Sequence, residues 1–347
     1  MPLDRPSIDS RKLLELVDAM AGQSVLLLAD LVADRFVSGT PKRISREAPV
    51  LILQHEEELL IPGGGANAAA NVAALDGRPL TVGVVGDDES GRALVRRLGE
   101  LGIDTRGIVT APGYRTPTKT RVLGGARDSI KQQIVRYDVE DRLERSAELD
   151  EAIATRLDGH AGKASVAILS DYGYDSVRPE MVPLVRGSLS TGSVVLCDSR
   201  FALPAFVGCD GATPNQEEAE VILRAEIDDW VLEERRAEML TEQGASFLLV
   251  TRGRRGMTLL EGSGTTHIAV HGTDQVADVT GAGDTVIGTF ALALAAGATR
   301  LEAALIADYA GGVVVMKTGT ATLGRDELRA AIRSDPTPIE SLRWVGS

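Results

Sequence analysis

The sequence predicts an α/β protein built around a mainly parallel sheet, and three observations predict it. Apolar runs without polar alternation recur at 24–29, 81–86, 165–169, 194–197 and 247–250, the pattern of strands covered on both faces. The runs close on polar residues: Asp30, Asp87, Ser170 with Asp171, Asp198 and Thr251. Helix-patterned stretches at 91–101, 217–224 and 232–241 lie between them, and strands alternating with helices indicate parallel crossover units. In such sheets ligands gather outside the carboxyl ends of the strands, where these Asp, Ser and Thr residues stand.

Taken in order, the chain opens with Leu13, Leu14, Leu16, Val17 and Met20 at helical spacing, so an amphipathic helix is expected there. Segments 35–61 and 116–138 break the α/β pattern with alternating apolar and polar residues and no helical period. Antiparallel strands are expected within them at 50–54, 118–123 and 133–137, forming a small sheet that projects from the main body as a lid. No Pro/Gly/Ser-rich linker, repeat or low-complexity stretch interrupts the chain, so residues 1–347 are expected to form one domain with this excursion.

Composition bounds the function. The 347 residues are 44% hydrophobic and 25% charged, with a formal net charge of −13, which disfavours a nucleic-acid partner. An anionic ligand would have to be met by local cations and backbone N–H groups. Cys197 and Cys209 are the only cysteines and offer neither a disulfide framework nor metal spacing. Charges at Asp9, Arg11, Lys12, Glu15 and Asp18 break any leader-like apolar run. A soluble, cytoplasmic protein is expected. His55, His160, His267 and His271 show no metal spacing and read as surface or turn residues, and Trp230 and Trp344 as packing residues. The P-loop echo at Gly162–Ser165 fails, because Leu157 and Ala164 stand where that spacing needs other residues.

Two glycine clusters carry the chemistry. Asp278-Val279-Thr280-Gly281-Ala282-Gly283-Asp284 precedes the apolar run 285–296. Glycines at the mouth of a helix leave backbone N–H groups aimed at an anion, with the helix dipole adding partial positive charge. Beside them Asp284 supplies a carboxylate, so donors for developing charge and a base for a hydroxyl proton stand together, as phosphoryl transfer to an alcohol requires. The plainer reading, a Gly-rich turn with an ordinary first-turn acid, fits a lone motif better than this extended one. Upstream, Pro62-Gly63-Gly64-Gly65-Ala66-Asn67 opens a small-residue helix. Its glycines admit a ligand close to the backbone and Asn67 can face sugar hydroxyls; equally, it can be a tight helix entry packed by alanines.

Together these clusters resemble the two signatures of the ribokinase-like (PfkB) carbohydrate kinases, and the resemblance covers nearly the whole chain. Segments Arg43–Val50, Gln132–Arg136, Thr251-Arg252 with Gly256–Leu260, and Gly311–Val315 are similar to kinases of D-glycero-D-manno-heptose 7-phosphate. The resemblance implies a three-layer α/β/α fold with a β-sheet lid and an ATP- and Mg²⁺-dependent sugar kinase. Its leading acceptor is the anomeric hydroxyl of that heptose phosphate, on the route to ADP-heptose and lipopolysaccharide core; the kinase half alone is expected, without an adenylyltransferase. It also implies Asp284 as base, Gly281, Ala282 and Gly283 as anion hole, and Asp34, Asp30, Gly64, Gly65, Asn67 and Arg136 around the acceptor. Asp30 reads equally as a strand-end or cap residue.

Asn215, Arg200, Thr251, Arg252 and Gly253 fall where the family holds nucleotide, and Glu218 with Asn215 where it organises Mg²⁺ through water. Asn215 before an acidic helix start is also an ordinary N-cap. Lys119 and Arg121 join Arg136 as candidates for a substrate phosphate, against the alternative of a solvated basic strand face. A helix N-terminus should lower the pKa of Asp284. Departures are Tyr174 where the heptose kinases have Lys, Asp308 where an Asn is expected near adenine, and a longer second lid segment through 124–131. A homodimer through the lid sheets is expected from apolar strands with free edges. Another sugar, sugar phosphate or nucleoside is the nearest alternative acceptor, and a non-catalytic sugar sensor the more distant one.

Overall fold

A computed structural model describes residues 8–126, 131–272, 277–317 and 319–346. The strands in chain order are β1 (Ser24–Ile44), β2 (Leu51–Gly64), β3 (Arg78–Gly86), β4 (Ile108–Ala111), β5 (Thr118–Gly124), β6 (Gln132–Val139) and β7 (Val166–Asp171). They continue as β8 (Val194–Ser199), β9 (Gly211–Ala212), β10 (Phe247–Thr251), β11 (Met257–Glu261), β12 (Gly264–Ile268) and β13 (Arg343–Gly346). The main sheet runs β13-β12-β11-β10-β9-β8-β7-β1-β3-β4. Pairs from β4 to β10 are parallel, and β10 to β13 form an antiparallel edge. The parallel expectation holds for the core of the sheet; the antiparallel edge had no counterpart in the sequence reading.

The apolar runs are continuous because helices cover both faces. Val25, Leu27, Ile168, Leu196 and Leu249 point into one core, under helices Gly65–Ala74, Ala282–Ala295 and Arg300–Val314. Their neighbours Leu26, Leu28, Leu169, Val195, Val250 and Cys197 point into the other, under helices Ala147–Asp158 and Gln216–Leu223. This is strand alternation with both sides buried. Cys209 lies in the second core too, and both thiols are free. Phe290 anchors the first core, fully buried and with its ring 5.8 Å from that of Phe247.

Strand β1 does not stop at Asp30. It runs on through the main sheet and becomes the spine of a second sheet, pairing with β2 antiparallel from Leu31 and with β5 parallel over Ala33–Gly39. Strand β6 then pairs antiparallel with β5. The second sheet therefore exists where it was expected, but one of its pairings is parallel. The reason is topological: β1 enters this sheet already running outward, and β5 follows β4 outward beside it. Of the longer second segment, 127–130 lies outside the described residues. The stretch 232–241 holds two helices, Asp229–Glu234 and Arg236–Gln243, rather than one.

Several polar expectations change. Trp230 is 63% exposed rather than packed. His267 pairs with Glu233 and His271 with Asp335, and His160 is buried. Among the described residues no helix is long and apolar enough to cross a membrane. Asp308 is buried in helix Arg300–Val314, where its carboxylate accepts the His271 N–H at 2.9 Å. Burial pushes its pKa up to about 8, against the lowering effect of that hydrogen bond.

Two outcomes follow for stability. Phe290→Ala should lower unfolding free energy by about 3–5 kcal/mol, read as a drop in urea midpoint. For Asp308, the unfolded carboxyl ionises near pH 4 and the folded one near 8, so the native state holds the extra proton between them. The stability tied to that proton is complete below about pH 4 and is lost as pH rises through 8. Asp308→Asn should therefore raise the melting temperature increasingly from pH 5 to 8.5 while changing it little at pH 4. A pH-independent change would contradict this assignment.

Candidate active site

The two glycine clusters meet. Helix Ala282–Ala295 starts from Gly281 in the left-handed conformation (φ 78°), and a Cβ there would come 2.6 Å from the Asn67 amide nitrogen. Helix Gly65–Ala74 lies so close to β1 that a Cβ on Gly65 would sit 2.3 Å from that of Ala29. Glycine is required at both positions, one for φ and contact and the other for contact alone. Across this junction Asn67 donates to the Gly281 carbonyl at 3.3 Å and to Asp284 Oδ2 at 2.9 Å. Asn71 donates to Asn67 Oδ1 at 3.2 Å, and Thr285 donates to Asn71 Oδ1 at 3.0 Å. Asn67 thus serves the carboxylate, and the sugar-facing reading of its amide is replaced by this one.

Asp284 is 4% exposed, and its other oxygen, Oδ1, accepts the Tyr172 phenol at 2.6 Å. Burial raises its pKa to about 6, outweighing the hydrogen bonds from Tyr172 and Asn67. The lowering expected from the helix terminus does not decide the outcome. Asp278 tightens the approach to the helix by accepting the N–H groups of Thr280 (2.9 Å) and Gly319 (3.1 Å). The Ala282 N–H turns to the Val279 carbonyl at 3.2 Å, so this member of the expected anion hole is occupied by the local turn.

A cleft of about 680 Å³ opens in front of this junction, lined by Asp34, Gly64, Lys119, Arg136, Arg142, Tyr172, Tyr174, Arg200, Phe201, Gly281 and Asp284 among others. Asp34 stands on its wall, paired with Arg121 at 2.6 Å and accepting the Thr320 hydroxyl at 3.2 Å. Gly63 lies beneath it: a Cβ there would meet the carboxylate at 2.6 Å. Arg136 pairs with Asp138 through Nε at 2.9 Å. Lys119 lies 5.8 Å from the Tyr172 ring centroid, and burial lowers its pKa. Arg142, which no sequence pattern singled out, joins Lys119 and Arg200 on the wall. None of these three has an ion-pair partner among the described residues.

Other expected positions lie elsewhere. Asp30 is fully buried and accepts the backbone N–H groups of Tyr172, Tyr174 and Ser176 at 2.8, 3.0 and 2.9 Å. It is neither an acceptor-binding residue nor a strand-end cap, because β1 continues through it and its carboxylate is turned to that loop. The Arg252 guanidinium is buried against Asp229 at 2.6 Å and is withdrawn from any ligand. Asn215 forms a reciprocal cap with Glu218, the Asn215 side chain accepting from the Glu218 N–H at 2.9 Å and Glu218 accepting from the Asn215 N–H at 2.8 Å. Asn215 also bridges to Thr251, two residues before Gly253. Burial raises the pKa of Glu218, and burial followed by the charges of Glu218 and Asp284 drives that of Asp198 well up. Among the described residues no three His, Cys, Asp or Glu side chains form a metal cage.

Comparison with known proteins places this geometry. The pfkB family carbohydrate kinase pattern matches residues 30–327. The bifunctional protein HldE of Mesorhizobium japonicum is 39% identical over 322 residues, 90% of this chain and 62% of that protein. Its counterpart in Paramagnetospirillum magneticum is 36% identical over 336 residues, 96% and 68% respectively. The chain thus spans roughly two thirds of the length of these relatives. In fold it is similar to Arabidopsis thaliana ribokinase complexed with ribose and ATP (TM-score 0.67, 18% identity, 91% of this chain and 100% of that one). It is also similar to Escherichia coli phosphofructokinase-2 in complex with substrates and products (TM-score 0.70, 19% identity, 90% and 98%). The fold is ribokinase-like, and the chain belongs to the pfkB family of carbohydrate kinases.

Proposed function

We propose that the cleft transfers the γ-phosphoryl group of ATP to a sugar hydroxyl, with the anomeric hydroxyl of D-glycero-D-manno-heptose 7-phosphate as acceptor. The observation that carries the chemistry is Asp284, buried in the first turn of a helix with its pKa raised to about 6. It is ionised at neutral pH yet basic enough to take a proton late in a loose phosphoryl-transfer transition state. The acceptor oxygen bonds to phosphorus, the bridging oxygen leaves with ADP, and the hydroxyl proton passes to Asp284. Backbone N–H groups of Gly281, Ala282 and Gly283 face the phosphoryl group in flight, the Ala282 N–H exchanging its turn partner for it.

The similarity to HldE proteins and to the heptose-kinase segments supports the acceptor. So do the cations of the cleft. In a chain of net charge −13, Lys119, Arg142 and Arg200 stand uncommitted around one cavity. We assign Arg200 to the nucleotide phosphates, with Thr251, Gly253 and Asn215 shaping that end. Lys119 and Arg142 take the phosphate of the acceptor while Arg136 stays paired with Asp138, and Asp34 with Gly64 and Gly65 shapes the sugar pocket. Mg²⁺ fits at Glu218 and the nearby Asp198, whose carboxylate has no hydrogen-bond or ion-pair partner among the described residues. Bound there, largely through water, the ion would neutralise charge on the transferring phosphates, and Asn215 would hold Glu218 in place.

Strands β2, β5 and β6 form the lid that excludes water. Their exposed Ile134, Val135 and Tyr137 supply an apolar face for a homodimer; light scattering that gives a monomer at micromolar concentration would count against it. Asp284→Asn should fold normally and lose turnover by several orders of magnitude. In the parent, kcat/KM should fall below about pH 6 as Asp284 takes up a proton. Across a panel of sugars and sugar phosphates assayed by ATP consumption, Lys119→Met and Arg142→Met should each raise KM for phosphorylated acceptors roughly tenfold or more. Turnover confined to unphosphorylated sugars would overturn the heptose phosphate assignment and leave the kinase chemistry standing.

A further inference from the structure

Both oxygens of Asp284 carry donors, and the donors differ in how they are held. Asn67 comes from the neighbouring helix, packed against it along its length. Tyr172 comes from the turn after β7, 112 residues away in the chain, and reaches Oδ1 at 2.6 Å. A turn is a soft support unless something fixes it. Here the buried Asp30 carboxylate accepts three alternate N–H groups of that turn, from Tyr172, Tyr174 and Ser176. Asp171 accepts a fourth, from Gly173 at 2.8 Å, and is itself held by the Ser199 hydroxyl at 2.6 Å. Lys119 rests against the Tyr172 ring.

We infer that Tyr172 is a positioning residue that keeps Asp284 ionised and turned toward the acceptor, and that Asp30 is the buried anchor that fixes Tyr172. The inference rests on the reading of Asp284 as the base. A carboxylate oxygen has two acceptor sites, so the phenol fills one on Oδ1 and leaves the other for the acceptor hydroxyl. Burial opposes ionisation of Asp284, as does Asp34 from β1, and Asp198 on β8 shares the repulsion. Lys119 from β5 and the two donors favour the ionised form, Tyr172 more than Asn67. Burial and the charge of Asp284 lift the Tyr172 pKa well above its ordinary range, so the phenol keeps its proton and acts as donor throughout. The acceptor proton passes to Asp284 and never to Tyr172.

The test is the acid limb of the kcat/KM–pH profile, measured with the phosphorylated acceptor or the best sugar from the panel. Tyr172→Phe keeps the ring and removes the donor, so the limb should move up by about one pH unit. The loss should be roughly tenfold at pH 5.5, with recovery toward parent activity at pH 8.5. Incorporating 3-fluorotyrosine at 172 makes the phenol a stronger donor and should move the limb the other way. A packing role alone would lower activity equally at every pH, and a limb unmoved in either variant overturns the inference. If Tyr172→Phe does not fold, the fluorotyrosine shift decides. Asp284→Asn separates the two readings. Near-normal turnover in that variant overturns the base itself, whereas its inactivity beside an unmoved limb overturns only the role of Tyr172.

Discussion

The bond from the Asn67 amide to Asp284 is the contact on which the site depends. It joins residues 217 apart in sequence, and it forms only because two helices start against each other with glycine at each junction. The amide is held in turn by Asn71, and Asn71 by Thr285 on the helix that bears Asp284. The chain of donors closes on itself, which removes the choice of amide orientation and fixes the carboxylate. Any side chain at Gly281 would enter the Asn67 amide. The motif is therefore a packing constraint first and an anion-facing turn second.

Burial then sets the chemistry. A carboxylate at a helix N-terminus would be a weak base in water. Placed under two helices it loses hydration worth more than the helix end returns, and its pKa rises to about 6. The same physics acts on Asp30, also raised to about 6, but with another result. Asp30 is closed in by three backbone donors and has no path to the cleft. Two buried carboxylates of like pKa thus serve different ends because one faces a cavity and the other a turn.

Much of this was legible in the sequence. Continuous apolar runs gave away a doubly covered sheet, and the two glycine clusters marked the helix starts that meet. What the sequence hid was continuation and pairing. Asp30 looked like the end of a strand because a charge follows six apolar or small residues, yet β1 passes through it on the strength of pairing with β2 and β5. Arg252 carried the right motif, but a local pattern cannot show that Asp229 claims its guanidinium. Tyr172 sat in plain view between Asp171 and Gly173. No spacing rule connects it to Asp284, because the link is made by the turn that Asp30 shapes.

The division of labour within the fold explains why the reaction was easier to read than the acceptor. The residues proposed for phosphoryl transfer lie on helix starts inside the core, where spacing and glycine are dictated by contact. The cations proposed to choose a phosphorylated sugar lie on β5 and the segment after β6, where partner carboxylates decide which of them remain available. Arg121 and Arg136 are committed to Asp34 and Asp138, whereas Lys119 and Arg142 are not, and no sequence pattern separates the two pairs. Single ion pairs on this sheet thus decide which cations of a basic strand face stay available to a ligand.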